Sequence, residues 1–169
     1  VTFSSGLAKN GLVPVFAVYS TFLQRSYDQL IHDVAMQNLK VIFAIDRAGF
    51  VGADGESHQG VFDTSFLNSV VGLTVFAPSN FSELEAMFYQ GIYKTQGAVA
   101  IRYPRGNEEI VPVKYDYNHE NYTVIGDESN KKCIVSYGRE FCESAKAYSE
   151  LDDVFLIKLN QIKPIDDTV

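Results

Sequence analysis

The stretch from Val41 to Gly60, VIFAIDRAGFVGADGESHQG, joins a short apolar run to a long loop rich in glycine. Consecutive apolar residues without polar alternation are typical of a strand that is buried on both faces of a sheet. In open parallel sheets, ligands bind beside the loops that follow the carboxyl ends of the strands. The stretch therefore predicts a central strand of an α/β fold, followed by a candidate binding loop.

The same pattern extends on both sides of this stretch. Short apolar runs predict strands over residues 13–18, 41–45, 73–76 and 98–102. Amphipathic spacing between them predicts helices over residues 22–39, 62–69 and 81–95. Strands that alternate with helices at this spacing indicate βαβ units. The fold class predicted is α/β, with a parallel sheet covered by helices on both faces.

The character of the sequence changes after residue 108. Residues 109–131 are polar and lack clear periodicity, so we interpret them as a linker with one or two short strands. Residues 132–169 return to the β-α-β pattern but are fewer than an ordinary domain needs. We therefore expect one domain over 1–108 that lacks its start, a linker over 109–131, and a truncated second α/β domain over 132–169.

Composition excludes some classes of function. The formal net charge of −7 argues against nucleic acid or an anionic membrane as partner, since both require basic patches. No apolar run approaches the roughly 20 residues that span a bilayer. Cys133 and Cys142 show no metal or redox spacing, so we expect ordinary buried or half-buried thiols in a reducing compartment.

Three of the five arginines follow predicted strands, namely Arg25, Arg47 and Arg105. A guanidinium group matches the geometry of phosphate and carboxylate. These arginines predict an anion site at the carboxyl edge of the sheet. The alternative from spacing alone is that they pair with carboxylates on neighbouring elements.

Three other residues are candidates on chemical grounds. His58 lies in a polar loop, where it could transfer a proton or donate to an oxyanion, or could only stabilise the loop. Asp54 precedes Gly55 in a common turn pair, which is weak evidence for a role. Phe22 could pack in the core or offer an aromatic platform to a flat heterocycle. Short sequence motifs alone therefore predict only an α/β domain with an anion site.

Four strings carry a more specific signal: YSTFLQRSYDQ at 19–29, DRAGFVGADG at 46–55, HQG at 58–60 and RYPRG at 102–106. Together they resemble the 1-deoxy-D-xylulose-5-phosphate synthase family. A looser resemblance resumes at 134–138 and 163–166. Transketolases and the β subunits of 2-oxoacid dehydrogenases share the fold but vary these strings.

The resemblance implies a transketolase-type transferase that depends on thiamine diphosphate and Mg²⁺. Such an enzyme condenses pyruvate with glyceraldehyde 3-phosphate, releases carbon dioxide, and serves non-mevalonate isoprenoid and thiamine biosynthesis. The part that this chain resembles holds the aminopyrimidine of the cofactor, while an N-terminal domain holds the diphosphate and the metal. A homodimer in the bacterial cytoplasm or in a plastid is implied as well.

The resemblance also implies roles for individual residues. Phe22 would stack on the pyrimidine ring, with Tyr19 and Arg25 lining that part of the pocket. Arg47 and Arg105 would hold the phosphate of the aldehyde, and Tyr19 would also contact substrate. Asp54 and His58 would contact donor and acceptor oxygens, and His58 is the candidate catalytic residue for proton transfer.

Two departures from the family pattern limit this interpretation. The catalytic glutamate of the family precedes a Val-Thr-Phe run like the one at residues 1–3, so we expect it to lie outside this chain. The GDG…N signature of the metal site is absent from the sequence. We therefore expect the isolated chain to be inactive. Another transketolase-like or 2-oxoacid dehydrogenase β-type domain, and a non-catalytic α/β interaction module, remain open alternatives.

Overall fold

The computed structural model describes residues 1–168, with Asp54 described by its backbone alone. Eight strands form two sheets in this part of the chain. Their bounds are β1 Val15–Tyr19, β2 Ile42–Asp46, β3 Thr74–Phe76, β4 Val99–Arg102, β5 Tyr122–Ile125, β6 Lys132–Tyr137, β7 Val154–Leu159 and β8 Gln161–Lys163. The first sheet has the order β1-β2-β4-β3-β8, and the second has the order β5-β7-β6.

Helices connect and cover these strands. Their bounds are α1 Thr2–Lys9, α2 Ser20–Leu23, α3 Tyr27–Gln29, α4 Asp63–Ser69, α5 Phe81–Tyr93 and α6 Glu140–Glu150. Two 3₁₀ turns, Gln24–Ser26 and Gly52–Asp54, and a π-helix, Leu30–Ala35, complete the set. The single helix predicted over 22–39 is thus a run of shorter helical pieces that begins at Ser20. No helix in the described part of the chain is both long and apolar enough to cross a membrane.

Apolar side chains cover both faces of the first sheet. Phe43 and Ala100 pack on one face in a cluster that includes Leu23. Ile42, the residue before Phe43, packs on the other face with Met87 of α5. Successive strand residues point to opposite faces, so each central strand contributes to both clusters. The predicted fold class, a parallel sheet with helices on both faces, is confirmed.

The pairing of strands is parallel among β1, β2, β4 and β3. The exception in this sheet is β8, which pairs antiparallel with β3 and was not predicted. The side chain of Lys163 in β8 donates hydrogen bonds to the carbonyls of Leu67 and Asn68, at 2.9 and 2.7 Å, at the end of α4. A cation at a helix C-terminus interacts favourably with the helix dipole. This contact fixes β8 against the end of α4.

A buried ion pair fastens α5 to the second sheet. Lys158 Nζ in β7 lies 3.0 Å from Glu83 Oε2, and both side chains are almost fully buried. The hydroxyl of Tyr115 donates to Glu83 Oε1 at 2.7 Å. Burial lowers the pKa of Lys158, and the neighbouring Glu83 carboxylate opposes that shift. The two sheets are therefore joined by a directional polar contact as well as by apolar packing.

Two further details differ from the sequence-based expectations. The N-terminal helix α1 was not predicted from the sequence. The expectation that both thiols are buried or half-buried is wrong for Cys133, which is exposed, whereas Cys142 is buried. Cys133 lies near the start of β6, an edge strand of the second sheet, and edge strands are covered on fewer sides.

The segment predicted as a linker, residues 109–131, contains strand β5 at Tyr122–Ile125, in agreement with the one or two short strands expected there. The predicted domain boundaries remain predictions.

The buried pair generates a stability prediction. Replacing Lys158→Met leaves the Glu83 carboxylate buried without its cation, which should lower the free energy of unfolding by about 3–5 kcal/mol. The double change Glu83→Gln and Lys158→Met removes both charges and should recover most of that loss. Urea unfolding of the chain measures both effects.

A matched control uses an exposed pair. Lys146 Nζ lies 2.6 Å from Glu143 Oε1, and both side chains are largely exposed. Since exposed pairs contribute little, Lys146→Met should leave the unfolding midpoint unchanged. If Glu83→Gln with Lys158→Met were no more stable than Lys158→Met alone, the buried Glu83 charge would not be the cause of the loss.

Candidate active site at the carboxyl edge of the first sheet

Three parallel strands end at the same level of the first sheet. Tyr19 is in register with Asp46, and Ile45 is in register with Arg102. The backbone N–H of Ala48 donates to the carbonyl of Tyr103 at 3.0 Å, which ties the loop after β2 to the loop after β4. Burial and the charge of Asp46 raise the pKa of Tyr103, so its hydroxyl stays protonated. The loops that carry the predicted site residues therefore meet at one edge.

Three aromatic side chains form a cluster at this edge. The rings of Tyr19 and Phe22 stack with centroids 5.5 Å apart and an interplanar angle of 12°. The imidazole of His58 meets Phe22 edge-on at 5.1 Å and Tyr19 at 6.5 Å. Phe22 is 41% exposed, so part of its ring is open to a ligand. The cluster therefore presents an accessible aromatic surface at the ligand-binding edge.

Arg47 extends this cluster with a positive charge. Its guanidinium carbon lies 4.0 Å from the centroid of the Tyr19 ring, within the range of a cation–π contact. The backbone of Arg47 has φ of 59°, in the left-handed region that residues other than glycine adopt uncommonly. Asp46 Oδ1 accepts a hydrogen bond from the Arg47 backbone N–H at 2.6 Å. Strained residues of this kind are concentrated at functional sites.

A glutamine side chain shapes the loop between Arg47 and His58. The amide of Gln59 accepts from the N–H of Val51 at 2.7 Å and donates to the carbonyls of Val51 and Gly55, at 2.9 and 2.6 Å. Gly49 and Gly60 exchange two backbone hydrogen bonds of 2.8 Å at the base of the loop. These contacts satisfy backbone groups of an irregular segment and define its conformation.

Gly60 allows three segments to approach closely. A Cβ atom at this position would lie 2.1 Å from the carbonyl oxygen of Arg47 and 2.9 Å from the side chain of Ser20. Both distances are shorter than a non-bonded contact permits. Glycine is therefore required where the loop returns past the end of β2 and the start of α2.

Some of the predicted site residues form one cluster, whereas others lie exposed on neighbouring segments. The structure places Phe22, His58 and Arg47 each in contact with Tyr19, and Phe22 also meets His58. Arg25 lies exposed in the 3₁₀ turn after Phe22, and Arg105 lies exposed in the loop after β4. The side chain of Asp54 lies outside the described residues. The ligand roles of these seven residues remain predictions.

Sequence reasoning missed three residues that support the site. Gln59 belongs to the HQG string, and its amide can both accept and donate hydrogen bonds, but the string does not indicate which backbone groups it contacts. Asp63 and Arg102 form a buried ion pair between α4 and β4, with Nε to Oδ2 at 2.9 Å. Nothing in the sequence pairs residues that are so far apart along the chain.

Comparison with known proteins identifies the family. The family described as "Transketolase, pyrimidine binding domain" matches residues 1–109. The chain belongs to this family. The matched residues include β1 to β4 and every predicted site residue.

Curated relatives are named 1-deoxy-D-xylulose-5-phosphate synthase, which confirms the resemblance drawn from the four strings. The chain is 46% identical to the synthase of Colwellia psychrerythraea over 181 residues, covering 100% of this chain and 28% of that protein. It is 45% identical to the synthase of Shouchella clausii over 174 residues, covering 98% of this chain and 27% of that protein. The chain thus spans little more than a quarter of the length of these relatives.

Solved structures support the fold. A split-gene transketolase, described as an inactive β4 tetramer, matches with a TM-score of 0.82 at 24% identity, covering 97% of this chain and 54% of that chain. Transketolase from Campylobacter jejuni matches with a TM-score of 0.82 at 13% identity, covering 98% of this chain and 28% of that chain. At these identities the likeness establishes the fold alone.

The close approach at Gly60 generates a second prediction. Gly60→Ala should lower the free energy of unfolding by about 1–3 kcal/mol, because the added methyl group displaces the Arg47 carbonyl or the Ser20 side chain. Gly52→Ala is the matched control in the same loop, since a Cβ there meets nothing within 4 Å. Chemical denaturation of both variants checks this, and equal losses would argue against a steric role for Gly60.

Proposed function

We propose that the chain is the pyrimidine-binding segment of a 1-deoxy-D-xylulose-5-phosphate synthase. The complete enzyme would condense pyruvate with glyceraldehyde 3-phosphate and release carbon dioxide, with thiamine diphosphate and Mg²⁺ as cofactors. The family membership and the names of the curated relatives support this proposal. A homodimer, and a location in the bacterial cytoplasm or a plastid, belong to the same proposal.

One observation carries the proposal. Two stacked aromatic rings lie at the carboxyl edge of a parallel sheet, where a guanidinium group contacts one ring and an imidazole contacts both. Ligands of open α/β sheets bind at this edge. An aromatic surface suits a flat heterocycle, and a guanidinium group suits a phosphate. The cluster thus combines the surfaces that a heterocyclic cofactor and a phosphorylated sugar each require.

The residues present fit the pyrimidine half of thiamine diphosphate. The exposed part of the Phe22 ring offers a stacking surface, while Tyr19 and His58 hold that ring from two directions. Arg25 follows Phe22 by three residues and would line the pocket. When bound, the cofactor supplies stabilisation of the carbanion that forms as pyruvate loses carbon dioxide.

His58 is the proposed proton-transfer residue. Its Nδ1 lies 2.8 Å from the hydroxyl oxygen of Ser57, which orients the ring. We therefore assign the transfer to Nε2, which would deliver a proton to the acceptor oxygen as the carbon–carbon bond forms. Asp54 would hold a substrate oxygen nearby, and Tyr19 would contact substrate at the same edge.

Arg47 and Arg105 are the proposed phosphate ligands. The Tyr19 ring and the Asp46 carboxylate both contact the Arg47 guanidinium, so the arginine loses less conformational freedom when a phosphate binds. Arg105 is exposed on the neighbouring loop, which the Ala48–Tyr103 hydrogen bond ties to the loop of Arg47. Two guanidinium groups on adjacent loops can contact different oxygens of one phosphate.

The phosphate assignment generates a prediction for the complete enzyme. Arg47→Lys and Arg105→Ala should each raise the KM for glyceraldehyde 3-phosphate about 10- to 100-fold, since a hydrogen bond to a charged group contributes about 1.5–3 kcal/mol. The KM for pyruvate should change less than about twofold. Lys132→Ala is the control, because Lys132 is an exposed cation at the start of β6 in the second sheet. Equal changes in both KM values would refute the assignment.

The isolated chain generates a separate prediction. We expect no turnover of pyruvate and glyceraldehyde 3-phosphate, and weak or undetectable binding of thiamine diphosphate. The split-gene transketolase with the same fold is inactive as a β4 tetramer. Isothermal titration of the chain with thiamine diphosphate and Mg²⁺ measures the affinity. A dissociation constant in the micromolar range would show that this segment suffices for binding and would overturn the prediction.

A further inference from the structure

The buried ion pair between Asp63 and Arg102 has a bidentate geometry. Arg102 Nε lies 2.9 Å from Asp63 Oδ2, and Arg102 Nη2 lies 3.3 Å from Asp63 Oδ1. Asp63 is 1% exposed and Arg102 is 7% exposed. Two parallel hydrogen bonds of this kind fix both the distance and the relative orientation of the segments that they join.

The two residues lie where the site loops begin and end. Asp63 is the first residue of α4 and follows Gly60 by three residues. Arg102 is the last residue of β4 and precedes Arg105 by three residues. The ion pair therefore joins the end of the loop that carries Arg47 and His58 to the start of the loop that carries Arg105.

A second contact holds Arg102 from the side of the second sheet. Its guanidinium carbon lies 5.5 Å from the centroid of the Tyr137 ring, at the end of β6. A Cβ at Gly138 would lie 3.7 Å from Arg102 Nη1, so the following backbone packs close to the same group. Arg102 is thus enclosed by α4 on one side and by the turn after β6 on the other.

We propose that Asp63 and Arg102 are positioning residues that set the spacing between Arg47 and Arg105, and so determine the affinity for a phosphorylated aldehyde acceptor. This inference rests on the proposed function. Neither residue would touch substrate, because both are buried. They would act through the loops at residues 47–60 and 103–106.

The chemistry of the pair favours a positioning role over a purely stabilising one. A buried ion pair contributes little net stability, because the cost of desolvating two charges offsets their attraction. Apolar residues of similar volume would pack α4 against β4 at least as well. What an apolar contact lacks is directionality. A phosphate site needs its ligands held to within about 0.5 Å, which a bidentate pair provides.

The experiment uses the complete enzyme and two variants. Arg102→Lys keeps the charge but cannot form the two parallel hydrogen bonds. The double variant Asp63→Asn and Arg102→Met removes both charges, so that no buried charge is left alone. Both should raise the KM for glyceraldehyde 3-phosphate about fivefold or more, with the KM for pyruvate and kcat changed less than about twofold.

Hydrogen exchange on the same proteins provides a readout that does not depend on turnover. The N–H groups of Ala48, Gly49 and Gly60 are all hydrogen-bonded within the two loops. Their protection should fall in both variants, while that of the β2 core is retained. A pair that only stabilised the fold would instead lower protection throughout the domain.

The control is a second buried ion pair among the described residues. Glu83→Gln with Lys158→Met removes a pair that joins α5 to β7. It should leave both KM values and the protection of the three loop amides near those of the wild type. The positioning role would be overturned if the Asp63 and Arg102 variants had the same KM for glyceraldehyde 3-phosphate, and the same protection of the loop amides, as this control. Absence of product from the wild type would contradict the proposed function, and the exchange data would still decide whether the pair positions the loops.

Discussion

The parallel pairing of β1, β2 and β4 is the constraint on which the candidate site depends. Because the three strands run in one direction and in register, Tyr19, Asp46 and Arg102 stand at neighbouring positions along one edge. Each strand is then free to end in a loop of its own, and the loops converge. An antiparallel arrangement would send alternate loops to the opposite edge. The cluster of Tyr19, Phe22, Arg47 and His58 follows from strand direction before any side-chain contact is considered.

The loop after β2 shows how an irregular segment can be held firmly without regular structure. Gln59 satisfies backbone groups that no sheet or helix would satisfy, and Gly60 allows the chain to return past Arg47 and Ser20. The left-handed backbone of Arg47 costs free energy, and the hydrogen bond to Asp46 and the contact with Tyr19 offset it. The conformational cost is therefore concentrated at a residue of the proposed phosphate site, whose guanidinium also lies 3.5 Å from the Asp46 carboxylate.

Much of this architecture could be predicted from the sequence, because its signals are local. Apolar runs such as 41–45 identify buried strands, and the glycine-rich segment after them identifies the loop. The four motif strings indicated the family and the residues at the edge. What could not be predicted depends on contacts between distant residues. The antiparallel addition of β8 to β3 and the pairing of Asp63 with Arg102 leave no periodic signal, since each depends on where the chain returns.

Two buried ion pairs among the described residues join different parts of the fold. Glu83 and Lys158 join the two sheets, whereas Asp63 and Arg102 join two loops of one sheet. Either junction could be filled with apolar side chains at little cost in stability. Apolar packing excludes water but tolerates small sliding movements, while paired charges fix distance and angle together. These two buried ion pairs therefore fix relative positions that apolar packing would leave free to shift. The pair nearer the ligand edge is the one proposed to set the spacing of the site.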